Sequence, residues 1–461
     1  MSTLDDVLST IDANQSDAVA RLFELLAIPS ISASPEHFPD CDRAADWLVR
    51  ELQALGFEAV KHETEGRPIV TGAAKAKGRD APSVLFYGHY DVQPPDPLNL
   101  WNSPPFEPRI VKVGDDERIV GRGACDDKGQ LMTFLEACRA FKQGGGGLPC
   151  NVKMVFEGEE ETGSQSLPAF MAKHGKELSA DLTLVCDTSM WDRETPAITT
   201  MLRGMVYEEV VIHGPKRDLH SGLYGGAAIN PIRVLARVLA ELHDENGAVT
   251  LPGFYDGVEE LPEEIAEQWR DLAFREDRFL GDVGLSVPAG EKGRSVLEMI
   301  WSRPTCDVNG ISGGYEGAGA KTVLPALASA KVSFRLVGKQ NPEQVSKAFR
   351  AFVKARLPAD VTAEFTNFGA SPAIALPTRS EALRRARRAL EAEWGKPAVL
   401  AGSGGSIPIV GVFKRELNMD SLMVGFGLDD DAIHSPNEKY ERSSFHKGAR
   451  SWARILAALG A

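Results

Sequence analysis

The sequence predicts an α/β protein: a mostly parallel sheet with helices on both faces, interrupted by an inserted α+β domain of ferredoxin-like grammar. Three observations predict it. Short apolar runs at 83–87, 152–156 and 182–186 alternate with helical patterns, which is how a parallel sheet reads in sequence. The grammar changes near residue 203 and returns beyond Pro377. Between those points, strands and helices follow one another as in a split β-α-β unit. The expected domains are therefore 1–202, 203–377 and 378–461, with the first and last forming one discontinuous domain.

Each element has a local cause. Leu4, Val7, Leu8 and Ile11 share one helical face, which Ala18, Leu22, Leu25 and Leu26 continue. Pro29 ends that helix. A second helix covers 44–55 and closes at Gly56. The strand at 83–87 follows, then a helix at 130–141 and the strands at 152–156 and 182–186. In the inserted segment, 206–212 reads as a strand. Asn230 caps a helix with Pro231 at its first position, and Val234, Leu235, Val238, Leu239 and Leu242 form its apolar face. A long acidic stretch runs from about Asp256 to Ser302. A strand at 328–336, a helix begun by Pro342 and a strand near 361–365 complete the insertion. Beyond Pro377 come a helix at 380–394, a glycine-rich loop, a strand at 422–426 and a C-terminal helix.

Composition narrows the class. A chain of 461 residues is expected to hold two to four domains, at roughly 100–200 residues each. Lys and Arg number 51 and Asp and Glu 65, a net charge of −14. So acidic a chain excludes nucleic acid and an anionic membrane surface as default partners. No apolar run approaches the roughly 20 residues of a membrane span. The start, Met1-Ser2-Thr3-Leu4-Asp5-Asp6, lacks the basic and apolar regions of a signal peptide. Cys41, Cys125, Cys138, Cys150, Cys186 and Cys306 are scattered and form no CxxC pair. A cytoplasmic location is expected.

The chemistry lies where the apolar runs end. The first runs into Gly88-His89-Tyr90-Asp91, the second into Glu157-Gly158-Glu159-Glu160-Glu161, the third into Asp187. The fourth precedes Asp429, Asp430, Asp431 and His434. Ligands of open α/β sheets bind at the carboxyl ends of strands. Gly121-Arg-Gly-Ala-Cys-Asp126-Asp127-Lys128-Gly129 sits just before a helix, where the dipole favours carboxylates. Taken singly, Asp126 reads as a helix cap, His89 as a packed histidine and residues 159–161 as a solvated charge run. Taken together, carboxylates gathered at one edge repel unless cations neutralise them. Histidine plus carboxylate is the ligand set of zinc and similar divalent metals.

In order and spacing, several motifs resemble the M20 family of dinuclear metallopeptidases. They are His89-x-Asp91, Gly121-Arg-Gly-x-x-Asp126-Asp127-Lys128-Gly129, Glu157-Gly-x-Glu160-Glu161-x-Gly163-Ser164, Asp187 and His434. Arg217-Asp-Leu-His220-Ser-Gly-Leu-Tyr-Gly-Gly226, Gly319-Ala-Lys-Thr-Val-Leu-Pro325 and Gly404-Gly-Ser-Ile-Pro408 are similar to the cytosolic nonspecific dipeptidase and carnosinase branch. The resemblance spans about residue 20 to the C-terminus.

The resemblance implies a catalytic domain with an inserted lid and dimerisation domain. It implies two divalent ions per subunit, zinc first, with manganese also fitting. His89 and Asp187 would bind one ion, Glu161 and His434 the other, and Asp126 would bridge both. A cis peptide would follow Asp126. Asp91 would orient His89. Glu160 would serve as general base on a water shared by the ions. His220 would stabilise the oxyanion in the partner subunit's active site, which makes a homodimer the functional unit. Arg335 would clamp the carboxylate of a small peptide substrate, with Gly404, Gly405 and Ser406 as loop donors. Asn309 and Lys321-Thr322 would line the pocket. Relatives often have Glu where Ser403 stands.

The implied activity is hydrolysis of the peptide bond of dipeptides. The residues themselves give metal-assisted hydrolysis of an amide bearing a carboxylate. Amidohydrolysis of N-acyl amino acids and carboxypeptidase action on longer peptides stay open beside it, and a non-catalytic binding protein on the same fold is a distant alternative. A serine hydrolase would need a nucleophile elbow, and Gly402-Ser403-Gly404-Gly405-Ser406 has the wrong spacing for one. A P-loop is broken by Ala320 between Gly319 and Lys321. Cys125 and Cys186 read as packing residues rather than redox thiols.

Overall fold

The computed structural model describes residues 4–144, 146–405 and 407–461. The chain forms two compact units. The first is built from the chain up to Thr200, Leu376–Ala401 and Val412–Ala461; the second from Met201–Ala375 and Gly402–Gly411.

The first unit is centred on a mixed sheet. In spatial order its strands are Glu58–His62, Ile69–Ala74, Asn151–Glu157, Ser83–His89, Leu182–Val185, Ser421–Met423 and Ala197–Leu202. Only the four central strands run parallel. The outer ones are antiparallel, so the expectation of a mostly parallel sheet is corrected to a parallel centre with antiparallel flanks. The cause is connection length. Six residues join Glu58–His62 to Ile69–Ala74, too few for a crossover. That first strand is Glu-Ala-Val-Lys-His, with no apolar run to announce it.

Ser83–His89 is buried at every position after its first, as a strand covered on both faces must be. Helix Lys128–Gln143 packs on it. Phe134 stacks on Phe86 at 3.8 Å, and Trp452 of helix Arg442–Leu459 meets Phe86 edge-on at 5.8 Å. Each such aromatic contributes about 1.5–3 kcal/mol by leaving water. A small antiparallel sheet of Arg109–Val113, Asp116–Val120 and Lys439–Glu441 ties the chain near residue 120 to the chain near residue 440. The N-terminal helical pattern is two helices, Leu4–Ala13 and Gln15–Leu26. The segment expected as a glycine-rich loop also holds a strand, Val399–Ser403, and a helix, Pro408–Leu417.

The second unit has a four-stranded antiparallel sheet in the order Thr305–Gly313, Leu327–Leu336, Gly204–His213, Thr362–Ser371. Helices Pro231–Ala240 and Pro342–Lys354 join its core, with Val234, Leu235 and Phe349 packed among Val206, Val210 and Phe334. Asn230 Oδ1 accepts the Ile232 amide at 2.9 Å and fixes the first helix start. The acidic stretch holds three short helices, Glu263–Asp271, Glu276–Gly281 and Val296–Trp301. Ser295 and Glu298 close a complete capping box on the last.

Candidate active site

Strand ends bring the acids and histidines of the first unit together. His89 is the last residue of its strand and fully buried. Its Nδ1 lies 3.1 Å from the Asp91 carbonyl and 3.4 Å from Asp91 Oδ1, and its Nε2 lies 3.1 Å from Asp126 Oδ1. His434 closes the other side. Its Nε2 is 2.9 Å from Asp126 Oδ2 and 3.2 Å from Glu161 Oε2. His434 itself takes a left-handed backbone, φ +60°, uncommon for a residue with a side chain. The Asp126–Asp127 peptide is cis.

Donor atoms of His89, Asp126 and Asp187 all lie within 4.8 Å of one another, and so do those of Asp126, Glu161 and His434. Each triad offers one imidazole nitrogen and two carboxylates, with Asp126 common to both. The electrostatics show how strongly this cluster calls for positive charge. Burial opposes charging His89, yet its bonds to Asp126 and Asp91 hold its proton well above the usual histidine range. Asp126 and then Glu161 push His434 up to about 10. Burial, then Asp126, pushes Asp187 up to about 8. Glu161 Oε1 is buried and, among the described residues, has no hydrogen-bond donor. An orphaned buried carboxylate oxygen beside two shared nitrogen and oxygen triads is what divalent ions would satisfy.

The surrounding residues fix these groups. Asp91 Oδ1 accepts the Glu160 amide at 3.2 Å, and Oδ2 accepts the Glu161 amide at 3.1 Å and the Ser32 hydroxyl at 2.6 Å. Asp91 thus binds the acidic turn to the His89 strand. Gln93 Nε2 donates to Glu161 Oε2 at 2.9 Å. Of the three consecutive glutamates, Glu159 is turned aside: its Oε2 accepts the Ser166 amide at 3.0 Å, and it packs on Gly66, where a Cβ would come within 1.6 Å of Oε1. Glu160 stays half-buried. Burial pushes it up to about 7, with His89 opposing and Glu161, Asp91 and Asp126 adding.

Two buried acids escape sequence reasoning. Glu438 accepts the amides of Gly123, Cys125 and Asp126 and pairs with Arg122, so it shapes the loop that presents Asp126. Asp127 accepts the His89 amide at 3.2 Å and the Cys186 thiol at 3.4 Å. Asp127 stands in the Asp126 motif but its pattern gives it no role of its own; Glu438 resembles its exposed-looking neighbours until the small sheet folds it inward. Cys125 and Cys186 are buried free thiols pushed well up by burial, consistent with packing.

The second unit holds the other predicted residues. His220 is exposed, and its Nδ1 accepts the Gly222 amide at 3.0 Å. The neutral ring must then carry its proton on Nε2. Leu219–His220 pairs with Val323–Leu324, which sets His220 opposite Val323, and the next amide, Ser221, donates to the Thr322 carbonyl at 3.0 Å. Arg335 is half-buried, in register with Met205 and Thr305. Asn309 sits exposed at a bulge in Thr305–Gly313. The Gly405 amide is taken by Ser403 Oγ at 3.1 Å, and Gly404 is half-buried. Ser406 lies outside the described residues.

A profile of peptidase family M20/M25/M40 matches residues 85–458. The chain belongs to this family. It is therefore a metallopeptidase, a hydrolase that works with divalent metal ions. A Cys-Gly metallodipeptidase, dug1, of Schizosaccharomyces pombe is 32% identical over 97% of this chain and 96% of its own. The solved structure of the di-peptidase Dug1p from Saccharomyces cerevisiae matches with a TM-score of 0.80 at 27% identity, covering 100% of this chain and 99% of that one. The M20 family metallo-carboxypeptidase Sso-CP2 from Sulfolobus solfataricus matches with a TM-score of 0.82 at 29% identity, covering 96% and 99%. Among the described residues, no helix of this family member is long and apolar enough to cross a membrane.

Proposed function

We propose that the chain is a dipeptidase with two divalent ions, zinc or else manganese, held by His89, Asp126 and Asp187 and by Asp126, Glu161 and His434. The observation that carries this reading is the pair of triads sharing Asp126, with Glu161 Oε1 left without a donor among the described residues. Dipeptide hydrolysis is supported by the metallodipeptidases to which the chain is similar along its whole length. When bound, the ions supply Lewis acidity and an activated water. Glu160 takes a proton from the attacking water and delivers it to the departing nitrogen. Asp91 keeps His89 and the Glu160 turn in place. The Nε2–H of His220 donates to the developing oxyanion. Arg335 receives the substrate carboxylate.

His220 acts on the partner subunit's site in a cytoplasmic homodimer, and the second unit serves as lid and dimerisation domain. The edge strand Thr305–Gly313 supports this. It has a sheet neighbour on one side only, and its Val308 and Ile311 are exposed. The likeness to a metallo-carboxypeptidase favours a second reading, trimming of longer peptides from the carboxyl end.

Product formation from free dipeptides, tripeptides and N-acetyl amino acids separates these readings. Chelation should abolish turnover, one of zinc or manganese should restore it, and free dipeptides should be the best substrates. Faster cleavage of tripeptides would move the protein to the carboxypeptidase reading, and faster cleavage of N-acetyl amino acids to amidohydrolysis. The shared site has its own test. His220→Ala and Asp126→Ala homodimers should both be inactive. Random reassortment leaves half the dimers mixed, each with one complete site, so about a quarter of wild-type activity should return. No return on mixing would refute a site shared between subunits.

A further inference from the structure

We propose that Arg203 and Arg335 form a single receptor for the carboxylate at the substrate's C-terminus, which makes Arg203 a binding residue; this rests on the dipeptidase reading. Arg335 lies on the half-exposed face of its strand, in register with Met205 on one side and Thr305 on the other. Arg203 stands two residues before Met205, just ahead of the strand's first residue, Gly204, and close enough to Arg335 to feel its charge. The second unit thus gathers two guanidiniums at one corner of its sheet.

Among the described residues, neither guanidinium is paired with a carboxylate. Arg203 donates only to carbonyls, from Nε to Gly404 and from Nη1 to Met299, both at a long 3.4 Å. Asp307 is the acid nearest in register, and Thr305 Oγ1 already donates to it at 3.0 Å. Burial and then Arg335 push Arg203 down to about 10, with Asp307 opposing. Two partly buried like charges repel, and an anion placed between them removes the cost. A carboxylate suits because its two oxygens accept about four hydrogen bonds, enough for two guanidinium forks.

Arg203 also lines a cavity of about 320 Å³ with Val249, Phe279, Leu280 and Met299. The cavity therefore leaves room beside Arg203 for a substrate side chain. A pure buttress for the Gly404 loop would need neither the second arginine nor the open cavity.

Kinetics of the metal-loaded enzyme on a free dipeptide and on its C-terminal amide test the assignment. Wild type should prefer the free acid. In Arg203→Met that preference should fall at least tenfold, through KM rather than kcat, as losing a charge-assisted bond predicts. Arg203→Lys should recover part of it, and it also covers the case of a methionine variant that fails to fold. Equal losses on acid and amide in both variants would assign Arg203 to loop support and overturn the proposal. So would a preference left at the wild-type value. Failure of the wild type on every dipeptide would instead overturn the dipeptidase reading, before any variant is made.

Discussion

Glu160→Gln is expected to keep its metal ions and to lose about 10²–10⁴ in kcat. The amide has nearly the shape of the carboxylate and cannot take a proton. Glu160 belongs to neither triad, so the donors of both remain. Its backbone amide still donates to Asp91 Oδ1, so the turn keeps its place. Glu159 cannot substitute, since it is engaged with Ser166 and turned against Gly66. Metal content by mass spectrometry and steady-state rates on one dipeptide check both halves. A variant within tenfold of wild type would remove Glu160 from proton transfer. Loss of metal together with rate would place it among the ligands.

The residues of this centre are legible in sequence for a physical reason. His89 ends its strand, and Glu160, Glu161 and Asp187 lie two to four residues past theirs, so the change from buried to polar marks the sheet edge. Asp126 and His434 are marked more weakly, one by a helix start and the other by a more distant apolar run, and motif order fixes their place. What stayed hidden depends on contacts remote in sequence. Glu438 is buried only because Lys439–Glu441 pairs with Asp116–Val120. Arg203 reads as an ordinary polar residue before a strand, and its meaning comes from Arg335, 132 positions on. Edge strands were hidden for a related reason. Glu58–His62 and Thr305–Gly313 each bury little, so neither needs the apolar run by which central strands are found.

The second large effect is expected at Glu438. Glu438→Ala should destabilise the metal-free protein by about 3–5 kcal/mol, because it strands a buried charge. Both carboxyl oxygens are used twice. Oε1 accepts the Cys125 amide at 2.9 Å and the Asp126 amide at 3.0 Å. Oε2 accepts the Gly123 amide at 2.9 Å and Arg122 Nη1 at 2.8 Å. Arg122 and Glu438 are 1% and 0% exposed, so water cannot replace the lost acceptor. The loop bearing Asp126 then loses its template. Metal affinity should fall about 10–100-fold even where the fold survives. Glu438→Gln separates charge from shape. It fills the same space but sets an NH₂ group against N–H donors, so it should recover little. Arg122→Met with Glu438→Ala removes the stranded guanidinium, so the double variant should lose less than the two single losses added together. Denaturant unfolding without metal, and metal titration of whatever remains folded, measure the two effects. Full additivity, or wild-type metal affinity in Glu438→Ala, would mean that the Asp126 loop holds its shape without this acid.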